Sequence, residues 1–132
     1  MGYQPRTKEG EMASRYGKRF DKVYRMLREE CPLDAPIRLV TKDLTKDKIC
    51  GCCLTYIDED GTIQKFVLEI DRNMAVLTAI DTLLHEWAHA LDYEANGIPK
   101  ENHRNSWGEL YAKVWRAFCA MPAVSSADRL KM

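Results

Sequence analysis

The chain reads as an α+β domain: an N-terminal helix, a small three-stranded sheet, a long central helix and a C-terminal helix. Apolar residues recur at helical spacing at both ends, runs rich in β-branched residues separated by turn signals fill the middle, and a long capped helical stretch follows them. At 132 residues the chain fits one compact unit, long enough for a core and too short for two ordinary domains. The expected division is a flexible leader over 1–13, the domain over 14–121 and a tail over 122–132.

The leader carries Gly2, Pro5 and Gly10 and no apolar period. Tyr16, Phe20, Val23, Tyr24 and Leu27 then repeat at helical spacing, and Cys31-Pro32 closes the segment, which predicts an amphipathic helix over about 14–30. Ile37 to Thr41, Ile49 to Ile57 and Thr62 to Ile70 predict three strands. The last two are joined by Asp58-Glu59-Asp60-Gly61, an acidic turn ending in Gly, and so form a hairpin. A helix over about 74–96 follows, with Asn73 as its expected cap and Asn96-Gly97 and Pro99 as its stop. Trp107, Leu110, Tyr111, Val114, Trp115 and Phe118 predict the last helix, ending before Pro122.

The long helix contains His85-Glu86-Trp87-Ala88-His89. Positions i and i+4 share a helix face, so both imidazoles can reach one metal ion at roughly 2.0–2.1 Å. Glu86 projects about 100° away, beside the metal and outside its ligand set, where a base acting on activated water belongs. Projection of the helix separates two sides. Leu77, Ile80, Leu84, Ala88 and Leu91, extended by Leu83 and Trp87, face the core. Thr78, Asp81, His85, His89, Asp92 and Asn96 form a polar stripe expected to face a cleft or solvent.

Hydrolytic zinc sites generally use three protein ligands and a water. Asp92 lies about 10.5 Å along the axis from His85, too far to share its ion, and is expected to orient an imidazole from behind. The metzincin spacing would place a ligand at Ala95, which excludes that subclass. His103, the third and last His, follows the turn at Gly97 and is the favoured third ligand; Glu101, Glu94 and Glu109 are the alternatives.

Formal charge is zero, with mildly basic ends and an acidic middle, which disfavours a nucleic-acid surface. No stretch has the uninterrupted apolar length of a membrane span, and Met1 to Gly10 lacks a signal-peptide core, so a soluble cytoplasmic protein without membrane association is expected. The five cysteines, odd in number, fit a reducing compartment. Cys50-Gly51-Cys52-Cys53 has no second pair to complete a four-sulfur zinc site, and buried or half-buried structural cysteines are the expectation over a second metal or redox site.

His85-Glu86-x-x-His89, the nearby Asp92, a loop, and His103-Arg104-Asn105-Ser106-Trp107-Gly108 leading into a Tyr- and Trp-bearing helix resemble the SprT-like family of zinc metalloproteases, which includes the Spartan-type proteases. The layout match covers about 14–120 and the specific match 82–118. The resemblance implies a zincin-like fold, one Zn²⁺ on His85, His89 and His103, and Glu86 as catalytic base. It also implies a protein or peptide substrate, with the Phe66 to Ile70 strand pairing edge to edge with an extended peptide. The compact form is similar to small phage or prophage members. The zinc ribbon or DNA-binding region of several members has no counterpart here, where Cys119 is the one cysteine after Cys53, so DNA-dependent crosslink repair is not expected.

The expected chemistry is zinc-dependent endopeptidase hydrolysis, with Glu86 taking a proton from water and passing it to the leaving amine. Tyr111, Arg104 and Tyr93 are positional candidates for stabilising the oxyanion, and Trp107 is expected to anchor His103 by packing. A noncatalytic module, in which a metal ties two helices together and the surface binds a protein partner, is the competing reading.

Overall fold

The computed structural model describes residues 16–99 and 103–122. The expected leader over 1–13 and all of the expected tail except Pro122 lie outside these residues. The elements run α1 (Lys18–Glu30), β1 (Ile37–Lys42), a short 3-10 turn (Thr45–Asp47), β2 (Gly51–Ile57), β3 (Ile63–Asp71), α2 (Val76–Asn96) and α3 (Asn105–Cys119), the predicted α+β layout.

β3 is the middle strand, with β1 parallel to it on one side and β2 antiparallel on the other. The β2–β3 hairpin turns where predicted. Asp58 Oδ1 accepts the Asp60 and Thr62 N–H groups, and Gly61 adopts the positive φ that suits a residue without a Cβ. The central position of β3 overturns the expectation that Phe66 to Ile70 offers a free edge: both of its sides are already paired. Among the described residues, the strands with an unpaired side are β1 and β2.

Alternation on β3 buries Phe66, Leu68 and Ile70. Leu68 and Ile70 join Leu39 of β1, Phe20, Val23, Tyr24 and Leu27 of α1, Val114 of α3 and the apolar side of α2 in one core. Trp87 is fully buried in it, with its indole N–H donating to the Cys31 carbonyl at 2.8 Å and Tyr24 packed edge-on against its ring. Where β2 begins, sheet and helix meet closely: a Cβ on Gly51 would lie 2.7 Å from both the Glu69 carbonyl oxygen and Thr82 Cγ2.

Three details of α2 differ from the sequence reading. Ala75, not Asn73, occupies its N-cap, because the Asn73 side chain is taken up by Asp43, Thr45 and Asp71 in the adjoining turns. The apolar stripe starts late: Leu77 is 54% exposed, one turn before the helix enters the core. The polar stripe is graded in depth: His89 and Asp92 are buried and His85 is half-buried, whereas Thr78, Asp81 and Asn96 are exposed. α3 and the sheet both pack against this helix and cover its middle more than its ends. The stop at Gly97 is as expected, with φ 79° and its N–H bonded to the Tyr93 carbonyl.

Candidate metal centre

His85 and His89 point from successive turns of α2 toward the loop that precedes α3, and that loop carries His103. The ring nitrogens of the three residues that could bind a cation lie within 4.8 Å of one another. His103 Nε2 is 2.9 Å from His85 Nε2. Two ligands of a tetrahedral ion held at 2.0–2.1 Å are about 3.3 Å apart, so this spacing suits a shared cation.

Burial sets the charge state of the rings. It lowers the pKa of His85 and pushes His89 down to about 4, with neighbouring imidazoles adding to both shifts. Both rings are therefore neutral at pH 7, with a lone pair available on each. Three imidazoles with a position left open are the donor set of catalytic zinc, and imidazole also accepts copper, nickel and iron. The residues present thus fit a single divalent ion.

Glu86 is buried beside this cluster, its Oε2 4.0 Å from His85 Nε2. Desolvation alone pushes its carboxyl up to about 7. Cys53 on β2 and Tyr93, one turn beyond His89, are close enough to feel its charge, which adds to the upward shift that burial gives each of them. The sequence reading gave Cys53 a structural place, which its half-buried position fits, and did not set it beside Glu86. Strand alternation was the available signal, since it puts Cys53 and Thr55 on one face of β2.

The His103 loop is fastened by Asp92. This carboxylate is fully buried and accepts Arg104 Nε at 2.8 Å, Ser106 Oγ at 2.6 Å and Asn96 Nδ2 at 2.9 Å. Arg104 also donates to the Gly97 carbonyl, closing the loop on itself. Asp92 therefore holds the backbone that carries His103 and does not bond an imidazole as expected. His103 itself sits at φ 56°, a left-handed conformation that costs a non-glycine residue about 1–2 kcal/mol and persists where neighbours hold it.

Burial would raise the Asp92 carboxyl, yet the bonds from Arg104, Ser106 and Asn96 prevail and hold it below the usual carboxylate range. The stability these bonds supply is thus present above the unfolded Asp value of about 4 and is lost as pH falls through the lower folded value. Asp92→Asn should destabilise the fold by about 1.5–3 kcal/mol at pH 7. It should also weaken metal binding by about 10–100-fold, because His103 is no longer held. Urea denaturation at several pH values checks the first effect: the gap between variant and parent should stay constant from pH 7 to 5 and shrink below pH 4.

Trp107 packs on all three imidazoles, with ring centroids 4.4 Å from His103, 4.8 Å from His85 and 5.3 Å from His89. Its indole N–H faces the His85 carbonyl at 3.4 Å. Tyr111 stacks on Trp107 and donates to Asp81 Oδ1 at 2.7 Å. Burial, followed by that bond and the charge of Asp81, pushes the phenol up to about 12 and keeps its proton on.

Of the three residues considered for an oxyanion, Arg104 and Tyr111 already have carboxylate partners. Tyr93 packs its ring 5.7 Å from that of His89. Among the alternative ligands, Glu94 is turned away and accepts the Asp34 and Ala35 N–H groups. Glu109 is exposed on α3 outside the cluster, and Glu101 lies outside the described residues.

The cysteines are mixed in placement. Cys31 is buried, Cys52 and Cys53 are half-buried on β2, and Cys50 and Cys119 are exposed, the last two against expectation. Cys50 precedes the strand, so alternation does not fix its direction. No family model matches the chain, and neither does a curated protein or a solved structure.

Proposed function

We propose that the protein is a zinc-dependent endopeptidase in which His85, His89 and His103 hold one Zn²⁺ and Glu86 is the general base. The observation that carries this reading is the convergence of three imidazoles, two of them kept neutral by burial, beside a buried carboxylate. When bound, the ion would acidify water and polarise a substrate carbonyl. Glu86 takes the proton from the attacking water and delivers it to the departing amine; a carboxyl raised by its surroundings is suited to both tasks. Tyr93 supplies a protonated phenol beside His89, positioned to donate to the developing oxyanion. The SprT-like resemblance and the zincin-like fold it implies are part of this proposal.

The unpaired side of β2 takes over the role first expected of β3. It borders Glu86 through Cys53, and an extended peptide pairing there would lay its backbone across the imidazoles. The class of substrate is thus an unfolded segment or exposed loop of a protein. The noncatalytic alternative requires no carboxylate here. Burying Glu86, whose nearest ion-pair partner among the described residues is His85 at 4.0 Å, is costly for a purely structural site.

Incubation of the zinc-loaded protein with an unfolded protein such as reduced, alkylated casein tests the activity. New amino termini that appear with zinc and disappear with a chelator are expected. Full metal loading with no cleavage of any unfolded substrate would leave the structural-module reading in its place.

A further inference from the structure

At the hairpin end of the sheet, beside the last turn of α2, lies a cavity of about 700 Å³. Ile57 and Ile63 line it from the hairpin, and Tyr93 and Ile98 from the end of α2 and the residues that follow; Asp34 and Glu94 also contribute to its lining. Ile57 and Ile98 are 44% and 50% exposed, so their apolar surface is open to an incoming group. Tyr93 belongs to both places, since its ring also packs near His89.

The charge in this cavity is one-sided. Asp34 and Glu94 are its carboxylates, and among the described residues no lysine or arginine lines it. Glu94 is held in place by the Asp34 and Ala35 N–H groups, which leave its negative charge in position without a counter-ion. Asp34 is exposed, and its carboxylate has no ion-pair partner among the described residues. The nearby Arg104 guanidinium is committed to Asp92 and to the Gly97 carbonyl.

We propose that this cavity receives a lysine or arginine side chain of an extended peptide lying along β2, with the aliphatic stem against Ile57, Ile63, Ile98 and Tyr93 and the cationic head at Asp34 and Glu94. Long basic side chains bury their methylenes on apolar surface and keep the charge at the end, which is the order of surfaces found here. Strand geometry sets the register. From Cys53, beside Glu86, to Ile57 is about 13 Å at roughly 3.3 Å per residue. The basic residue therefore sits about four positions from the bond presented to Glu86. Alternate side chains of a paired peptide share a face, so the Cys53 and Thr55 side of β2, which leads to Ile57 past the register shift after Tyr56, is the side that such a residue would enter.

The inference rests on the peptidase reading for its register and not for the cavity itself, so binding and cleavage are measured separately. The probes are fluorescent decapeptides of Ser, Thr and Gly, carrying a single Lys or its uncharged analogue norleucine moved stepwise along the chain. Binding is read by anisotropy on the zinc-loaded Glu86→Gln protein. At one position the Lys peptide should bind about three- to tenfold more tightly than the norleucine peptide. Asp34→Lys, a change at an exposed side chain with no part in the core, should remove that preference and leave norleucine binding unchanged. Equal affinities at every position, a preference for norleucine, no measurable binding, or a preference that survives Asp34→Lys would each overturn the proposal. Cleavage by the parent protein is the second arm: discrimination in binding without any cleavage would remove the peptidase reading and leave the basic-residue cavity standing.

Discussion

Glu86→Gln is expected to bind zinc as the parent does and to lose about 10²–10⁴-fold in kcat on a peptide substrate. The amide matches the carboxylate in size, so the packing between α2 and β2 should survive, and the side chain stands 4.0 Å from His85 Nε2, outside hydrogen-bond reach. Gln cannot accept a proton, and among the described residues no other carboxylate is placed beside Glu86 to do so. The neighbouring Cys53 thiol is pushed up to about 12 by its burial, and the Tyr93 phenol is raised as well, so neither is a base at neutral pH. Zinc content by atomic absorption and single-turnover cleavage of an unfolded substrate decide the matter together. Unchanged hydrolysis would remove Glu86 from the mechanism, whereas joint loss of metal and activity would recast it as part of the binding site.

His103→Ala should give the largest change in metal affinity. Loss of a partner that only supports a ligand costs about 10–100-fold, and loss of a donor itself should exceed that, because two imidazoles remain where three are needed. The fold should tolerate the change. His103 is exposed, and its loop is still tied down by Arg104 and Ser106 on Asp92. Competition against a zinc chelator measures the effect, and thermal denaturation with and without zinc gives a second view. The parent should gain stability from the ion, and the variant should gain little at equal zinc. Identical chelator competition in the two proteins would return the third ligand to the remaining alternatives.

Much of this was legible in the sequence, for reasons that differ between elements. Helical periodicity and punctuation located α1, α2 and α3 because each buries one side in a common core and ends at a residue that cannot continue, as at Gly97. The pentad from His85 to His89 was legible because a helix fixes the relation between i and i+4 without help from the rest of the chain. Strand order was not. A hairpin is a local event, but the insertion of β3 between β1 and β2 depends on a parallel pairing between segments far apart in sequence, and nothing at Phe66 to Ile70 marks a strand as central or edge.

The same limit applied to Asp92 and Asn73. Their positions were read correctly on the helix or before it, and their partners were not, because Arg104 and Ser106 reach Asp92 across the turn and Asp43 reaches Asn73 from another loop. Projection also set the polar stripe against a cleft or solvent. It could not rank the stripe by depth: His89 and Asp92 are buried, His85 is half-buried, and Thr78, Asp81 and Asn96 are exposed.

Of the chain's three tryptophans, Trp87 is sealed in the core on a backbone carbonyl and Trp115 is 43% exposed on α3. Trp107 alone rests its indole against all three histidine rings. Imidazoles quench a neighbouring indole to an extent that depends on whether their nitrogens carry protons or a cation. The loading of the centre is consequently written into the light that Trp107 emits, over the steady background of the other two, so a titration in a fluorimeter can follow occupancy without a label.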